Sequence, residues 1–147
     1  MSEEIVTPAG DGVDMRSIYS EAAIDHAARP RNAGPLAQPD GYAMITGPCG
    51  DTMQVWLRVR DNLITAVSFA TDGCGPSIAS GSVATELVRG KLIAEAMSVG
   101  QADILEALGG LPDDSRHCAL LAANTLKAAI RDYISFRNEP WKRAYQK

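Results

Sequence analysis

The fold is decided by residues 52–71, which read TMQVWLRVRDNLITAVSFAT. In the first half of this stretch apolar and polar side chains alternate, which is typical of a strand with one buried face. The apolar positions on that face are Met53, Val55, Leu57 and Val59. Asp61-Asn62 predicts a tight turn, and residues 63–71 predict a partner strand with Val67 and Phe69 on the core face. The stretch therefore predicts an antiparallel hairpin.

Upstream of this hairpin the sequence predicts one more strand and one helix. Residues 42–46 predict a third strand of the same antiparallel sheet. A first helix is expected to begin after Ser20, which suits the N-cap position. It must end near Arg29, because Pro30 disfavours helical geometry in the residue before it. The prolines and glycines of residues 30–41 then predict a loop.

Downstream of the hairpin the sequence predicts helices. Residues 76–89 predict a helix with proline in its first turn, and Gly90 stands just past its end. Short helices are expected between residues 92 and 108, and a long last helix follows a cap at Asp114 or Ser115. The apolar stripe of that last helix consists of Ala119, Ala122, Leu126, Ala129 and Tyr133.

This order of elements, three strands and then helices, predicts the α+β class. We expect a three-stranded antiparallel sheet packed against several helices on one face, with an N-terminal helix and a long C-terminal helix. The folded domain is expected over residues 18–138. It would lie between a flexible N-terminal tail at residues 1–17 and a basic C-terminal tail at residues 139–147, with fraying from Arg137 onward.

The bulk composition argues against nucleic-acid and membrane partners. The chain has 147 residues, enough for one domain, and its 46% hydrophobic and 22% charged content is ordinary for a soluble protein. A net charge of −4 predicts no general attraction to nucleic acid or anionic membranes. The apolar runs are far shorter than the roughly 18 residues of a membrane-spanning helix, and the first residues lack the apolar segment of a secretory signal. We therefore expect a cytoplasmic protein.

The three cysteines predict a ligand set. An odd number of cysteines without any C-x-x-C pair does not suggest disulfides, a thioredoxin-type centre or a zinc ribbon. Cys49 is followed two residues later by Asp51, and Cys74 lies between two glycines just before a predicted helix. Cys118 follows His117 in the first turn of the last helix. Three thiols, a carboxylate and an imidazole could fill the coordination of a metal ion or an iron–sulfur cluster.

Each of these sites has a structural alternative when it is taken alone. Cys74 could be a small buried residue at the end of a strand, although a helix start and flanking glycines favour an accessible thiolate. Asp51 is a routine turn residue, and a lone His117 would more often be a surface or capping residue. The second histidine, His26, is interpreted as structural or surface. Taken together, the sites favour one common centre.

Several short motifs occur in the order that they have in a known family. They are Tyr19-Ser20-Glu21, Ile24-Asp25-His26, Pro30-Arg31-Asn32-Ala33-Gly34, Cys49-Gly50-Asp51-Thr52-Met53, Gly73-Cys74-Gly75, Thr85-Glu86-Leu87-Val88-Arg89-Gly90-Lys91 and His117-Cys118-Ala119-Leu120-Leu121-Ala122. With these motifs the chain resembles the IscU-type iron–sulfur cluster assembly scaffolds, a family that includes the N-terminal domain of NifU. The resemblance covers about residues 18–138.

The resemblance implies a scaffold and carrier rather than an enzyme. Cys49, Cys74 and Cys118 would hold a nascent cluster, of the 2Fe-2S type, with Asp51 or His117 as the fourth ligand. Cys118 has the position that accepts sulfur as persulfide from a cysteine desulfurase. An iron donor would supply iron, and apo-proteins would receive the finished cluster. Family members also bind zinc at this site when isolated, and burial of the site between two copies would be compatible with a homodimer.

Two departures from the family pattern matter. Members that use a dedicated chaperone carry Leu-Pro-Pro-Val-Lys before the His-Cys pair, whereas residues 111–115 here read LPDDS, which weighs against that partnership. Pro76 also replaces the small residue usual after Gly-Cys-Gly. The spacing from Cys74 to Cys118 lacks the extra segment of the related SufU group, and His117 is present, so the IscU type is favoured. No further cluster-binding module follows in the sequence, so a stand-alone scaffold is expected.

Two other interpretations stay open on the residues alone. One is a protein with a structural or regulatory zinc ion bound by three cysteines and a histidine, although the spacings are wide for such a site. The other is a sulfurtransferase with a single reactive thiol, for which Cys118 is the candidate.

Overall fold

The centre of the fold is a three-stranded antiparallel sheet with strand order β1-β2-β3, seen in a computed structural model that describes residues 18–139. The strands are β1 (Gly41–Thr46), β2 (Thr52–Arg60) and β3 (Leu63–Thr71). All three predicted strands are confirmed. The predicted N-terminal tail at residues 1–17 lies outside the described residues, as does the predicted C-terminal tail except for its first residue.

The hairpin between β2 and β3 closes through two residues in the left-handed backbone region. Asp61 and Asn62 have φ angles of 56° and 63°, which short polar side chains tolerate and which match the twist of the flanking strands. Just beyond the turn the register shifts: Val59 pairs with Ile64, but Arg58 pairs with Ala66, so Thr65 has no partner. This β-bulge places Ile64, Val67 and Phe69 together in the core.

The helices follow the predicted order. They are α1 (Glu21–Ala28), α2 (Gly75–Val88), α3 (Ile93–Ala96), α4 (Gln101–Ala107) and α5 (Arg116–Asn138), the last preceded by a short 3-10 turn at Asp113–Ser115. Ser20 caps α1, because its hydroxyl oxygen accepts a hydrogen bond from Ala23 N at 3.0 Å. Gly90, with a φ angle of 82°, ends the turn after α2. The predicted α+β class is confirmed.

One face of the sheet is covered by α2 and α5. The predicted stripe of α5 is buried at Ala119, Ala122, Leu126 and Ala129 and half-buried at Tyr133. The contact between α5 and β1 is close at Gly41, where a Cβ atom would lie 2.5 Å from the carbonyl oxygen of Ala129. On the opposite face of the sheet the rings of Tyr42 and Trp56 pack with their centroids 5.4 Å apart.

Two other predictions about the helices have clear outcomes. Fraying from Arg137 onward is wrong, since α5 continues to Asn138 and the Arg137 guanidinium donates a 2.7 Å hydrogen bond to Asn62 Oδ1. His26 is structural, because its side chain is buried and its Nδ1 lies 2.7 Å from Ser82 Oγ. Among the described residues, no helix is both long and apolar enough to cross a membrane.

Candidate metal centre

The turn between β1 and β2 brings two of the predicted site residues to one edge of the sheet. The turn is closed by hydrogen bonds from Gly47 N to Asp51 O at 2.7 Å and from Gly50 N to Gly47 O at 3.0 Å. Gly50 has a φ angle of 93°, which only glycine adopts without strain. Cys49 is exposed and Asp51 is half-buried in this turn.

The loop between β3 and α2 is fixed next to that turn. Thr52 N donates to Asp72 Oδ1 at 2.8 Å, and the Thr71 hydroxyl donates to Thr52 O at 2.7 Å. The same hydroxyl accepts a 3.1 Å hydrogen bond from Gly73 N. These bonds hold Cys74 beside Asp51. Cys74 has the N-cap position of α2 but makes no capping hydrogen bond with its side chain, and it is exposed.

The first turn of α5 supplies the third part of the site. His117 and Cys118 are the second and third residues of this helix. Ser115 has the predicted cap position, although its side chain makes no capping hydrogen bond. His117 is half-buried, whereas Cys118 is buried, with 2% of its surface exposed.

All five predicted site residues meet in one cluster. One ligand atom each from Asp51, Cys74 and Cys118 lies within 4.8 Å of the other two. Cys49 joins them through the imidazole, since its Sγ lies 3.2 Å from His117 Nε2, and that nitrogen lies 3.7 Å from Cys118 Sγ. Residues separated by as many as 69 positions in sequence therefore present three thiols, a carboxylate and an imidazole at one edge of the domain.

The environment of Cys118 differs from that of the other two cysteines. Cys49 and Cys74 are exposed, whereas Cys118 is buried. Burial raises the pKa of the Cys118 thiol above its ordinary value, and the negative charges possible at Cys74, Cys49 and Asp51 raise it further. Cys118 is buried because α5 packs against α2 and because the first turn of α5 lies close to Cys74.

One residue that contacts the site is missing from the sequence-based set. Ser77, the third residue of α2, is fully buried, and its hydroxyl donates to Asp51 Oδ2 at 3.1 Å and lies 3.4 Å from Cys118 Sγ. The sequence signal that could have indicated Ser77 is its position three residues after Cys74, in the first turn of the predicted helix. That signal alone does not separate a site residue from an ordinary serine of a first helical turn.

The backbone at Gly73 approaches the site so closely that a side chain does not fit. A Cβ atom there would lie 2.6 Å from Ser77 Oγ and 2.7 Å from Asp51 Oδ2. The glycine before Cys74 is therefore required by the close approach of the loop to Asp51. The glycine after it, Gly75, has ordinary surroundings, with Ala27 Cβ at 3.8 Å as the nearest atom.

This donor set defines a class of protein. Thiolates, an imidazole and a carboxylate together suit zinc or iron, and three sulfurs with one oxygen or nitrogen fill a tetrahedral site. Fold and site together describe a small α+β domain with a thiol-rich candidate metal centre at the edge of its sheet.

Comparison with known proteins identifies the family. The NifU-like N-terminal domain family matches residues 18–139, and the chain belongs to this family. The iron-sulfur cluster assembly scaffold protein IscU of Haemophilus influenzae is 46% identical over 120 residues, which cover 78% of this chain and 94% of that protein. The scaffold protein IscU 1 of Archaeoglobus fulgidus is 44% identical over 118 residues, covering 80% of this chain and 77% of that protein.

A solved structure supports the same fold. The crystal structure of the N-terminal part of a NifU-like protein from Brucella abortus superposes with a TM-score of 0.65, covering 82% of this chain and 97% of that chain at 24% identity. The family match and the two curated relatives confirm the resemblance to IscU and NifU inferred from the motifs.

Proposed function

We propose that this protein is a scaffold on which an iron–sulfur cluster, of the 2Fe-2S type, is assembled and from which it is passed to apo-proteins. The observation that supports this most strongly is the meeting of Cys49, Cys74 and Cys118 with Asp51 and His117 at one edge of the domain. Relatives at 44% and 46% identity are named as scaffolds for this assembly.

The three thiolates are the proposed permanent ligands, and the fourth position is the proposed point of exchange. A cluster that serves only electron transfer commonly has a complete set of thiolates. Here the fourth ligand is a carboxylate or an imidazole, which leaves more readily than a thiolate. Cys49 and Cys74 are exposed, so an acceptor protein can approach the cluster from that side.

Cys118 is the proposed sulfur acceptor. In this step its thiolate attacks the outer sulfur of a persulfide on a cysteine desulfurase, the S–S bond breaks, and the donor cysteine leaves as a thiolate. The product on Cys118 is a persulfide, whose outer sulfur needs two electrons from an external reductant to become sulfide. Because burial raises the pKa of the Cys118 thiol, we infer that docking of the donor must favour the thiolate for this step.

The remaining partners follow from the same chemistry. A cysteine desulfurase supplies sulfur, an iron donor supplies iron, and apo-proteins receive the cluster, so the protein acts as a carrier rather than as a catalyst. Zinc at the same ligands would be a form of the isolated protein. The acidic loop Asp113-Asp114 that replaces the chaperone-binding sequence argues against a dedicated chaperone. We also propose that the protein forms a homodimer and is located in the cytoplasm.

The test is anaerobic reconstitution with iron and sulfide, followed by transfer to an apo-ferredoxin. Visible absorption of a 2Fe-2S cluster that appears on the parent and then moves to the ferredoxin is expected. Loss of this absorption in the Cys49→Ala variant would distinguish a scaffold from a sulfurtransferase with a single thiol. A parent protein that takes up zinc but forms no cluster would contradict the proposal.

Asp51→Ala probes the exchange step. His117 Nε2 already lies 3.7 Å from Cys118 Sγ, so an imidazole can take the vacated fourth position. Because imidazole nitrogen is a softer and less readily displaced ligand than a carboxylate oxygen, we expect the variant to retain its cluster longer and to transfer it more slowly. Faster cluster loss than in the parent would show that Asp51 is not the labile ligand.

A further inference from the structure

The hydroxyl of Ser77 lies between two of the proposed ligands and can donate to only one of them at a time. It is 3.1 Å from Asp51 Oδ2 and 3.4 Å from Cys118 Sγ, and its residue is completely buried. A carboxylate is a strong acceptor and sulfur is a weak one, so the single proton points to Asp51. One carboxylate oxygen is therefore anchored by the protein.

The position of this bond restrains the Asp51 side chain from two sides. The hydroxyl is carried by the first turn of α2, which cannot shift without moving the helix. The Gly73 backbone closes the other side, because even a methyl group there would overlap Ser77 Oγ and Asp51 Oδ2. Hydrogen bonds of this kind, made to a ligand rather than to the metal, orient the ligand and commonly change metal affinity by about 10–100-fold.

Asp51 has a competitor for the fourth ligand position. Three thiols leave one place in a tetrahedral site. His117 Nε2 is near enough to Cys118 to fill that place, but it is also 3.2 Å from Cys49 Sγ. The three ligand atoms that already lie within 4.8 Å of one another come from Asp51, Cys74 and Cys118.

We propose that Ser77 is a positioning residue that selects Asp51 over His117 as the fourth ligand. The inference rests on the proposed function and deepens it, since the fourth ligand is the point of exchange. Without the hydroxyl, the carboxylate loses its anchor and His117 takes the position. The ratio of the two ligand sets then changes by about tenfold or more, which is the factor associated with one hydrogen bond to a charged group.

The experiment uses zinc as the probe and the full chain as the protein. Long-range proton–nitrogen spectra report whether His117 Nε2 is bound to zinc. We expect the nitrogen to be mostly free of zinc in the loaded parent and mostly bound to zinc in Ser77→Ala. The matched control is Ser80→Ala, one turn further along α2, where the hydroxyl is also fully buried and makes no hydrogen bond within the described residues. It should behave as the parent does.

Two results would overturn the proposal. One is that His117 Nε2 is bound to zinc in the parent, a result that can be obtained from the parent protein alone. The other is the same His117 signal in the parent, Ser77→Ala and Ser80→Ala.

In cluster transfer, Ser77→Ala should be slowed to the rate of Asp51→Ala, and the double variant should be no slower. Because the zinc measurement needs no cluster, a failure to assemble one contradicts the proposed function separately from the choice of ligand.

Discussion

The two glycines beside Cys74 offer a matched pair of substitutions in which only the available space differs. Neither Gly73 nor Gly75 has the left-handed backbone that would itself disfavour alanine. In Gly73→Ala the new methyl group would lie 2.6 Å from Ser77 Oγ and 2.7 Å from Ser77 Cβ. In Gly75→Ala the nearest atom would be 3.8 Å away, an ordinary van der Waals distance.

The structure sets the expected magnitudes. The overlap in Gly73→Ala cannot be relieved by rotation of the hydroxyl alone, since Ser77 Cβ is fixed to the helix backbone. We expect a loss of about 1–3 kcal/mol in the free energy of unfolding, the usual cost of overpacking. Because Asp51 Oδ2 is displaced too, zinc affinity should fall by about 10–100-fold. Gly75→Ala should raise the free energy of unfolding by about 0.4–1 kcal/mol, because alanine restricts the unfolded chain.

Two assays measure these effects separately. Urea unfolding of the metal-free proteins gives stability, and competition with a chromophoric chelator gives zinc affinity. The reasoning would be refuted if Gly73→Ala were as stable as the parent and bound zinc as tightly. It would also be refuted if both alanine variants lost stability and affinity to the same degree.

Three further predictions concern buried groups. Burial holds the pKa of His26 below its ordinary value of 6.5, so the imidazole is neutral at pH 7 in the folded protein. The free energy of unfolding should therefore fall as the pH drops below 6.5, because the unfolded chain binds the proton more readily. Urea unfolding of His26→Gln should lack this pH dependence. The exposed Cys74 should react with iodoacetamide before the buried Cys118, as mass spectrometry of the alkylated protein will show. Because the pKa of the Cys118 thiol is raised, the alkylation rate of Cys118 should still increase above pH 9. Gly81→Ala would place a methyl group 2.6 Å from Phe69 Cε2, so urea unfolding should show a loss of about 1–3 kcal/mol despite better helix propensity.

Much of the fold could be predicted because its signals are local. The alternation of residues 52–60 gives the period of a half-buried strand, and the stripe of α5 gives the period of a helix. Pro30, Pro76 and Gly90 act on their neighbouring residues and therefore mark the ends of elements. The motifs around the three cysteines were sufficient to bring five residues into one hypothesis, and all five lie together.

What the sequence did not predict depends on long-range packing. The bulge at Thr65 results from the need to bury Ile64 together with Val67 and Phe69, which no local pattern expresses. The burial of Cys118 and the contact of Ser77 with Asp51 depend on how closely three separate segments approach one another. That approach is determined by the sheet edge and by the two helices beneath it.

X-ray absorption of the zinc-loaded protein tests most directly whether the three distant sulfurs bind one centre. We predict three sulfur ligands at about 2.3 Å and one lighter ligand at about 2.0 Å, with one sulfur lost in each of Cys49→Ser, Cys74→Ser and Cys118→Ser. Two or fewer sulfurs in the parent, or a sulfur count that Cys49→Ser leaves unchanged, would contradict a common centre.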